Sequence, residues 1–337
     1  MSYKWETLKP MPSKRVFASP LVHEDNLYII GGCDEKGVPL DCFEMFNLKQ
    51  KKWHRLQNMP TKRAAPAIAG IGNKIVAVGG VSESQNPLEA IEIFDLTEKK
   101  WTVADPLGEK LLGISCVIRE NKAYFMGGMA ADTTPSDMLV ELDLETNKWQ
   151  KLAPLLTARY ATFAFLIQDK IYLLGGRQGK IPTTAFEVYD FSTKKWSKLP
   201  DIPSKRVFAM YATNGQQILS VGGLLQPASQ GFSDACEVFN IEKGEWTVSK
   251  PMPTKRGDFA VGVIGGKFVC AGGLGNDGKP LKAVEVFDAD TNNWTTVTEM
   301  PSSHCSCSYT MVGNRLFVCG GLSSRGPSNA MEALDFS

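Results

Sequence analysis

The sequence predicts an all-β protein built from seven similar four-stranded units. A Gly-Gly pair ends an apolar run seven times, at spacings of 48, 48, 48, 47, 50 and 48 residues. The first glycines of these pairs are Gly31, Gly79, Gly127, Gly175, Gly222, Gly272 and Gly320. The seven tryptophans follow the same spacings, and they are Trp5, Trp53, Trp101, Trp149, Trp196, Trp246 and Trp294. Because such sheets bury both faces when they stack radially, these markers predict a seven-bladed β-propeller.

The second repeat shows how the strands of each unit are recognised. Between Thr61 and Trp101, four runs rich in β-branched and aromatic residues alternate with turns that contain Gly, Asn, Asp or Pro. We expect the Gly-Gly pair where the inner part of the sheet is crowded, and the Trp on the outermost strand between neighbouring blades. Asp95, six positions before Trp101, is expected to cap the turn between strands three and four.

The ends of the chain indicate how the propeller closes. Residues 3–8 resemble a fourth strand without its first three, whereas the last repeat lacks a fourth strand. We therefore expect the N-terminal strand to complete the last blade, which removes two open sheet edges. The prediction is one domain, residues 1–337, with blades of about 10–56, 57–104, 105–152, 153–199, 200–249 and 250–298, and a seventh of 299–337 plus 1–9.

Composition narrows the class of partner. The formal net charge is +1, which gives no general attraction to nucleic acid or to a membrane surface. We find neither an apolar leader segment nor a run of the ~18 apolar residues that a membrane span needs. The expectation is a soluble, cytoplasmic monomer without membrane insertion. Its eight cysteines are then expected to be reduced thiols.

Three of the repeated features resemble the kelch repeat, whose period is about 50 residues. They are the Gly-Gly pair, a Glu-x-Phe-Asp run such as residues 92–95, and the Trp six residues after its Asp. Within that family, the chain is similar to the stand-alone kelch domain-containing protein 8 group in residues 175–180, 305–308 and 326–328. The resemblance implies an adaptor or scaffold that binds other proteins.

A basic residue recurs at one position of the loop that leads into strand one, here named the lead-in loop. It is Arg15, Arg63, Arg159, Arg206 or Arg256 in five blades, and the equivalent residues are Leu111 in blade 3 and His304 in blade 7. Strand one is innermost, so we expect these side chains to rim the central channel. Arg177 and Lys180, in the loop between strands two and three of blade 4, are expected on the same face.

Two interpretations of the repeated arginines stay open. Resemblance to kelch adaptors implies that they contact an acidic or phosphate-like peptide segment, and guanidinium groups are suited to carboxylates. The predicted partner-binding residues are therefore the five arginines together with Arg177, Lys180 and His304. Alternatively, each arginine pairs with a carboxylate or carbonyl of the neighbouring blade and holds the propeller together. The longest strand two–three loop, residues 224–235 of blade 5, adds Phe232, which either packs on its own loop or contacts a partner.

No catalytic or metal-binding motif emerges from the sequence. His304, Cys305 and Cys307 lie close in sequence, but strand alternation would point the histidine away from the two thiols, so we predict core residues and neither metal nor cofactor. The predicted function is a non-enzymatic interaction module that binds acidic segments, with a possible place in the cytoskeleton or in cell division. The alternatives are a kelch-type enzyme acting on an acidic sugar and a substrate-recruiting subunit of a ubiquitin ligase.

Overall fold

A computed structural model describes residues 2–337 of the chain. These residues form seven four-stranded antiparallel sheets, and each sheet corresponds to one sequence repeat. Strands one to four of each sheet are hydrogen-bonded in sequence order, from the first strand of the blade to its last, with one exception at the chain ends. Among the described residues, three additional two-residue strand pairs and a set of single-residue bridges lie in the loops, either within a strand two–three loop or between it and a loop that leads into strand one.

The strands of the first three blades have nearly equal lengths. After β1 (Tyr3–Leu8), blade 1 contains β2 (Ser19–His23), β3 (Asn26–Ile30), β4 (Phe43–Asn47) and β5 (Lys52–Arg55). Blade 2 contains β6 (Ala67–Ile71), β7 (Lys74–Val78), β8 (Ile91–Asp95) and β9 (Lys100–Val103). Blade 3 contains β10 (Ser115–Arg119), β11 (Lys122–Met126), β12 (Leu139–Asp143) and β13 (Lys148–Lys151).

Blades 4, 6 and 7 add short strands within their loops, and blade 5 adds a 3-10 turn. Blade 4 contains β14 (Phe163–Ile167), β15 (Lys170–Leu174), β16 (Arg177–Gln178), β17 (Ile181–Pro182), β18 (Phe186–Asp190) and β19 (Lys195–Lys198). Blade 5 contains β20 (Met210–Thr213), β21 (Gln217–Val221), a 3-10 turn (Ala228–Gln230), β22 (Cys236–Asn240) and β23 (Glu245–Val248). Blade 6 contains β24 (Arg256–Gly257), β25 (Ala260–Ile264), β26 (Lys267–Ala271), β27 (Leu274–Gly275), β28 (Val284–Asp288) and β29 (Asn293–Thr296). Blade 7 contains β30 (Ser308–Val312), β31 (Arg315–Cys319), β32 (Leu322–Ser323), β33 (Gly326–Pro327) and β34 (Met331–Phe336).

The N-terminal strand completes the last sheet, as predicted. β1 pairs antiparallel with β34 in a register that runs from Tyr3 opposite Phe336 to Leu8 opposite Met331. The indole Nε1 of Trp5 donates to the carbonyl of Thr298 at 3.2 Å, and a guanidinium nitrogen of Arg315 lies 2.6 Å from a carboxylate oxygen of Glu6. The first and last strands are therefore joined by backbone, indole and ionic contacts.

The repeated sequence markers have the structural roles that were expected of them. In blade 2, Gly80 has a φ of +94°, and a Cβ there would lie 2.6 Å from the carbonyl oxygen of Ala64, so only glycine fits. Asp95 accepts hydrogen bonds from the backbone amides of Thr97 and Glu98 at 2.8 and 2.9 Å. Trp101 packs edge-on against Phe43 of blade 1, with ring centroids 5.3 Å apart, and so fills the gap between two blades.

The chain divides into two compact units. Unit 1 comprises residues up to Phe17, residues 49–53 and residues 202–337; unit 2 comprises residues 18–48 and 54–201. Within unit 1, a hydrophobic cluster fills the space between blades 6 and 7 and includes Val269, Val286, Val318 and Leu334. Within unit 2, similar clusters lie between blades 1 and 2, blades 2 and 3, and blades 3 and 4.

The cysteines contribute to these cores. All eight are free thiols, and burial raises the pKa of Cys270 and Cys319 to about 12 in each case, which keeps these two protonated. Across residues 2–337, no helix is long and apolar enough to cross a membrane. No group of three or more metal-ligating side chains occurs among the same residues, and His304 is part of an ion pair described below.

Candidate functional site

The five lead-in arginines are buried, in contrast to the channel rim that the sequence predicted. Arg63, Arg159 and Arg256 are 0% exposed, Arg15 is 1% exposed and Arg206 is 5% exposed. His304, predicted as part of the same rim, is also 0% exposed. Side chains that are buried to this extent cannot be reached by a partner peptide without opening the blade. The expectation of an exposed arginine rim was therefore wrong.

Arg63 shows what the buried guanidinium group does. Its Nη1 donates to the carbonyls of Gly79 and Ala90 at 3.0 and 3.1 Å, and its Nη2 lies 2.6 Å from Oε2 of Glu92. Gly79 belongs to the Gly-Gly pair of blade 2, and Glu92 is the second residue of β8 in the same blade. One side chain thus satisfies two carbonyls and one carboxylate at the crowded end of the sheet.

The same ion pair recurs in four further blades, once more in unit 2 and three times in unit 1. A basic lead-in residue meets the glutamate at the second position of strand three, and every one of these glutamates is 1–2% exposed. The nitrogen–oxygen distances are 3.4 Å for Arg159–Glu187, 2.6 Å for Arg206–Glu237, 2.9 Å for Arg256–Glu285 and 3.4 Å for His304–Glu332. His304 also makes a 2.6 Å Nδ1 contact with the carbonyl of Gly320, so it takes the place of arginine in blade 7.

The backbones of Arg63, Arg256 and His304 contact the preceding blade. The carbonyl of Arg63 accepts a hydrogen bond from Gly32 of blade 1 at 3.1 Å, and its amide donates to Leu40 at 3.0 Å. The carbonyls of Arg256 and His304 likewise accept from the second glycine of the pair in the preceding blade, at 2.9 and 2.7 Å. Backbone and side chain of one residue therefore hold two successive blades together.

A hydroxyl group completes the network in three blades. Thr61 donates to Glu92, Ser204 donates to Glu237 and Thr254 donates to Glu285. Burial lowers the pKa of Arg63 and of Arg256, while the neighbouring carboxylates oppose that shift and favour the charged guanidinium. In the Pro-Ser/Thr-Lys-Arg sequence of these lead-in loops, the hydroxyl residue and the arginine therefore both contact the buried glutamate of the same blade. The alternative interpretation, that the arginines brace the propeller, fits these contacts, although each carboxylate belongs to the arginine's own blade.

Sequence reasoning overlooked one signal that would have indicated this role. Blade 3 has Leu111 in place of the arginine, and it also has Val140 in place of the glutamate. Every other blade has both polar residues, so the two positions change together. Such joint replacement is expected of two side chains in contact.

Arg177 and Lys180 lie in a different environment. Arg177 is half-buried in β16, where its guanidinium carbon is 5.7 Å from the ring centroid of Tyr160, and Lys180 is exposed at the tip of the β16–β17 hairpin. The lead-in loops and strand two–three loops of unit 2 carry five exposed or half-exposed basic residues against ten acidic ones. Arg177 and Lys180 are therefore two of a few basic residues in loops where acidic residues predominate.

The corresponding loops of unit 1 have the opposite charge. We name them the blade 5–7 loop surface, defined as residues 202–209, 222–235, 249–259, 272–283, 297–307 and 320–330 of blades 5–7 together with residues 9–17, which lead into blade 1 but belong to unit 1. Leaving the buried arginines aside, its basic side chains are Lys9, Lys14, Lys205, Lys250, Lys255, Lys279, Lys282 and Arg325, all exposed. Its acidic side chains are Asp234, Asp258, Asp277 and Glu299. In a chain of formal charge +1, this surface concentrates positive charge.

Two exposed aromatic rings lie on the same surface. Phe17 and Phe208 are 54% and 51% exposed, two positions after the buried arginines Arg15 and Arg206. Phe232 is half-buried, because its ring packs over Gly257 of blade 6, so it rests on the following blade rather than on its own loop. The blade 5–7 loop surface therefore combines exposed ammonium groups with exposed apolar rings.

The seven sheets and their repeated sequence markers define a class of protein, the kelch-type β-propeller, and comparisons with known proteins agree. The sequence model of the Attractin/LZTR1 beta-propeller matches residues 123–333, and the Kelch motif matches residues 14–60 and 62–108. The chain therefore belongs to the Attractin/LZTR1 beta-propeller family, and it carries kelch motifs in its first two repeats.

The chain is also similar to individual kelch proteins. Kelch domain-containing protein 8B of Rattus norvegicus is 44% identical over 117 residues, and that of Homo sapiens is 43% identical over the same length. In both cases the match spans 32% of this chain and 33% of the relative. Kelch-like protein terF of Aspergillus terreus is 30% identical over 96 residues, or 28% of this chain and 21% of that protein.

One solved structure confirms the predicted fold. The structure of YjhT has a TM-score of 0.67 and 16% sequence identity, and the alignment covers 86% of this chain and 99% of that one. At this identity the likeness concerns the fold alone, a seven-bladed β-propeller. The similarity to the kelch domain-containing protein 8 group, inferred from short sequence matches, is confirmed by the two 8B relatives.

Proposed function

We propose that this protein is an interaction module whose blade 5–7 loop surface binds acidic segments of partner proteins. The observation that carries the proposal is the excess of exposed basic over acidic side chains on these loops, eight against four. Exposed lysines attract carboxylates over several ångströms, and they give both faster association and a preference for acidic partners. The kelch propeller class is consistent with such a role.

Burial of the arginines changes the proposed chemistry. Lys205 and Lys255 are exposed and immediately precede the buried Arg206 and Arg256, so ammonium groups replace guanidinium groups as the charges that a partner meets. Lysine binds anions as a point charge, whereas arginine favours planar bidentate recognition. Binding is therefore expected to depend on the charge density of the partner segment and to weaken steeply with salt.

The enzymatic alternative loses its main support. It required an arginine-lined mouth that holds the carboxylate of an acidic sugar, and those arginines are paired within their blades. The candidate binding charges that remain belong to flexible lysines on loops. This arrangement supports recognition of a macromolecular partner better than positioning of a small substrate.

The test compares two double variants with the same change in net charge. Lys205→Glu/Lys255→Glu alters the proposed surface, and Lys4→Glu/Lys243→Glu alters exposed lysines on β1 and on the turn before β23. Binding of a fluorescent peptide of alternating glutamate and leucine is measured by anisotropy. We expect the first double variant to weaken binding at least about tenfold and the second to change it little.

Pull-down from cell extract with the same two variants then identifies partners, including cytoskeletal proteins and substrates of ubiquitin ligases. Partners that depend on this surface are lost with Lys205→Glu/Lys255→Glu and kept with the control. If both double variants weaken peptide binding equally, general charge rather than this surface is responsible, and the proposed site is wrong.

A further inference from the structure

One six-residue sequence occurs twice in unit 1 with the same conformation. Residues 12–17 and 203–208 both read Pro-Ser-Lys-Arg-Val-Phe. In both copies the lysine is exposed, while the arginine and valine are buried. The terminal Phe17 and Phe208 are exposed to 54% and 51%, and each has a φ of +55°. The two segments therefore present the same side chains in the same way.

The fold itself does not require phenylalanine at this position. The equivalent residues of the other blades are Ala65, Gly113, Ala161, Asp258 and Ser306. All five have a positive φ, between +46° and +67°, so the left-handed conformation belongs to the lead-in loop of every blade. Small or polar residues satisfy it five times. A phenylalanine that leaves about half of its side chain exposed gains only part of the stabilisation that full burial would give.

Each exposed ring has an exposed cation close by in sequence. Lys14 and Lys205 precede Phe17 and Phe208 by three residues, with the buried Arg-Val pair between them. Neither lysine forms an ion pair within the described part of the chain, in contrast to Lys62 of unit 2, whose ammonium lies 3.0 Å from Glu83. Each copy thus offers an apolar ring together with an uncompensated positive charge.

Hydrogen bonds hold the loop that carries Phe208 in one conformation. Arg206 donates to Glu237 at 2.6 Å, and Ser204 donates to the same carboxylate. The carbonyl of Phe208 accepts a hydrogen bond from the amide of Asp258 at 3.4 Å. A partner that binds to a loop fixed in this way does not have to order it, which favours affinity.

The ring of Phe232 lies near the backbone of Phe208. A Cβ on Gly257 would lie 2.7 Å from Cε1 of Phe232 and 3.4 Å from the carbonyl oxygen of Phe208, so the glycine leaves room for the ring. The amide of Phe232 donates to Oδ1 of Asn276 at 2.7 Å, which holds the loop in place. The copy in residues 203–208 therefore has a second aromatic residue close to its backbone.

From this geometry we infer that residues 12–17 and 203–208 are two copies of one docking site for a short acidic and apolar motif. In each copy an apolar side chain of the partner packs on the phenylalanine, and a neighbouring carboxylate pairs with the lysine. The chain then binds two such motifs, from one partner or from two. This inference rests on the proposed function, and it adds the apolar anchor and the stoichiometry of two.

The test uses two synthetic probes and isothermal titration calorimetry. One probe is a capped peptide with a Leu-Trp pair flanked on each side by two glutamates, and in the other Gly-Ser replaces Leu-Trp. Wild-type protein is expected to bind two molecules of the first peptide and to bind the second about tenfold more weakly. Phe17→Ala and Phe208→Ala are each expected to reduce the stoichiometry from two to one, and the double variant is expected to abolish measurable binding.

A matched control separates this effect from general loss of apolar surface. Val248 on β23 is 74% exposed in the same unit, and Val248→Ala is expected to keep a stoichiometry of two. Thermal unfolding shows whether each variant remains folded. A stoichiometry of one in wild type, or of two in both single phenylalanine variants, would overturn the inference.

The outcomes also separate this inference from the proposed function. If Lys205→Glu/Lys255→Glu weakens binding while the phenylalanine variants bind like wild type, the basic surface binds acidic segments but the two phenylalanines do not anchor them. The proposed function is then supported and the two-copy docking site is wrong. If wild type binds neither acidic peptide, both the proposed function and the paired anchors are wrong.

Discussion

Leu111 and Val140 lie in one buried hydrophobic cluster of unit 2, at the two positions that Arg63 and Glu92 occupy in blade 2. The backbone around Leu111 is the same as around the arginines, because its carbonyl accepts from Gly80 at 3.2 Å and its amide donates to Leu88 at 3.0 Å. Blade 3 therefore forms the same sheet and the same blade-to-blade backbone contacts with an apolar pair. The two positions can therefore be filled either by a buried ion pair or by an apolar pair.

This equivalence predicts how the stability of the protein changes when one or both residues of the ion pair are replaced. Arg63→Ala leaves Glu92 buried without its counterion, and we expect it to lower the free energy of unfolding by about 3–5 kcal/mol. Replacing both residues by the blade 3 pair, Arg63→Leu with Glu92→Val, is expected to recover most of that loss. Denaturant midpoints of the single and double variants measure the coupling. A double variant less stable than both single variants would contradict this explanation.

The same comparison shows what could be predicted from the sequence and what could not. Gly80, Asp95 and Trp101 were assigned correctly because their roles follow from local chemistry: a positive φ, an acceptor for turn amides, and a large ring between blades. The repeated arginines were misplaced because recurrence in a repeat does not reveal exposure. A residue that the fold needs in every blade recurs for that reason alone, and the partner of Arg63 lies 29 positions away at Glu92.

The candidate site could not be predicted because it consists of positions that differ between blades. Phe17 and Phe208 depart from the small residues of the other lead-in loops, and the excess of lysines is confined to the loops of unit 1. Neither feature repeats with the period of the sheets, so a search for the repeat passes over both. In a repeat protein, constant positions build the blades and variable exposed positions are available for recognition.

Glycine substitutions offer a second prediction, with an internal control. Gly80 and Gly108 both have a positive φ, +94° and +78°, but a Cβ on Gly80 would lie 2.6 Å from the Ala64 carbonyl oxygen, whereas no atom lies within 4 Å of one on Gly108. We expect Gly108→Ala to cost about 1 kcal/mol, the conformational term alone, and Gly80→Ala to cost at least about 3 kcal/mol. Equal losses of stability in chemical denaturation would show that backbone crowding is unimportant here.

Asp258 predicts a specific pH dependence. Burial raises the pKa of its carboxyl group, and the hydroxyl of Ser306, which donates to the carboxylate, only partly opposes the shift. Because the folded pKa lies above the unfolded value of about 3.9, the favourable contribution of protonated Asp258 is present at low pH and is lost as pH rises through the folded pKa. Asp258→Asn removes this titration while keeping an acceptor for Ser306.

The difference in unfolding free energy, Asp258→Asn minus wild type, is therefore expected to increase between about pH 3 and pH 7. A difference for Asp258→Asn that falls with increasing pH would mean that the folded pKa is lowered rather than raised.

The junction between the chain ends provides the last prediction. Deleting residues 1–9 removes β1 from its pairing with β34, and with it the contacts of Trp5 with Thr298 and of Glu6 with Arg315. The edge of β34 then carries unpaired backbone groups, which both destabilises the last blade and favours association of exposed edges. We expect the melting temperature to fall by about 10 °C or more and the variant to aggregate more readily. Lys4→Ala, an exposed substitution within β1, should leave the melting temperature unchanged. If the shortened chain has the same melting temperature as the full-length protein and remains monodisperse in light scattering, strand pairing between the ends does not stabilise the propeller.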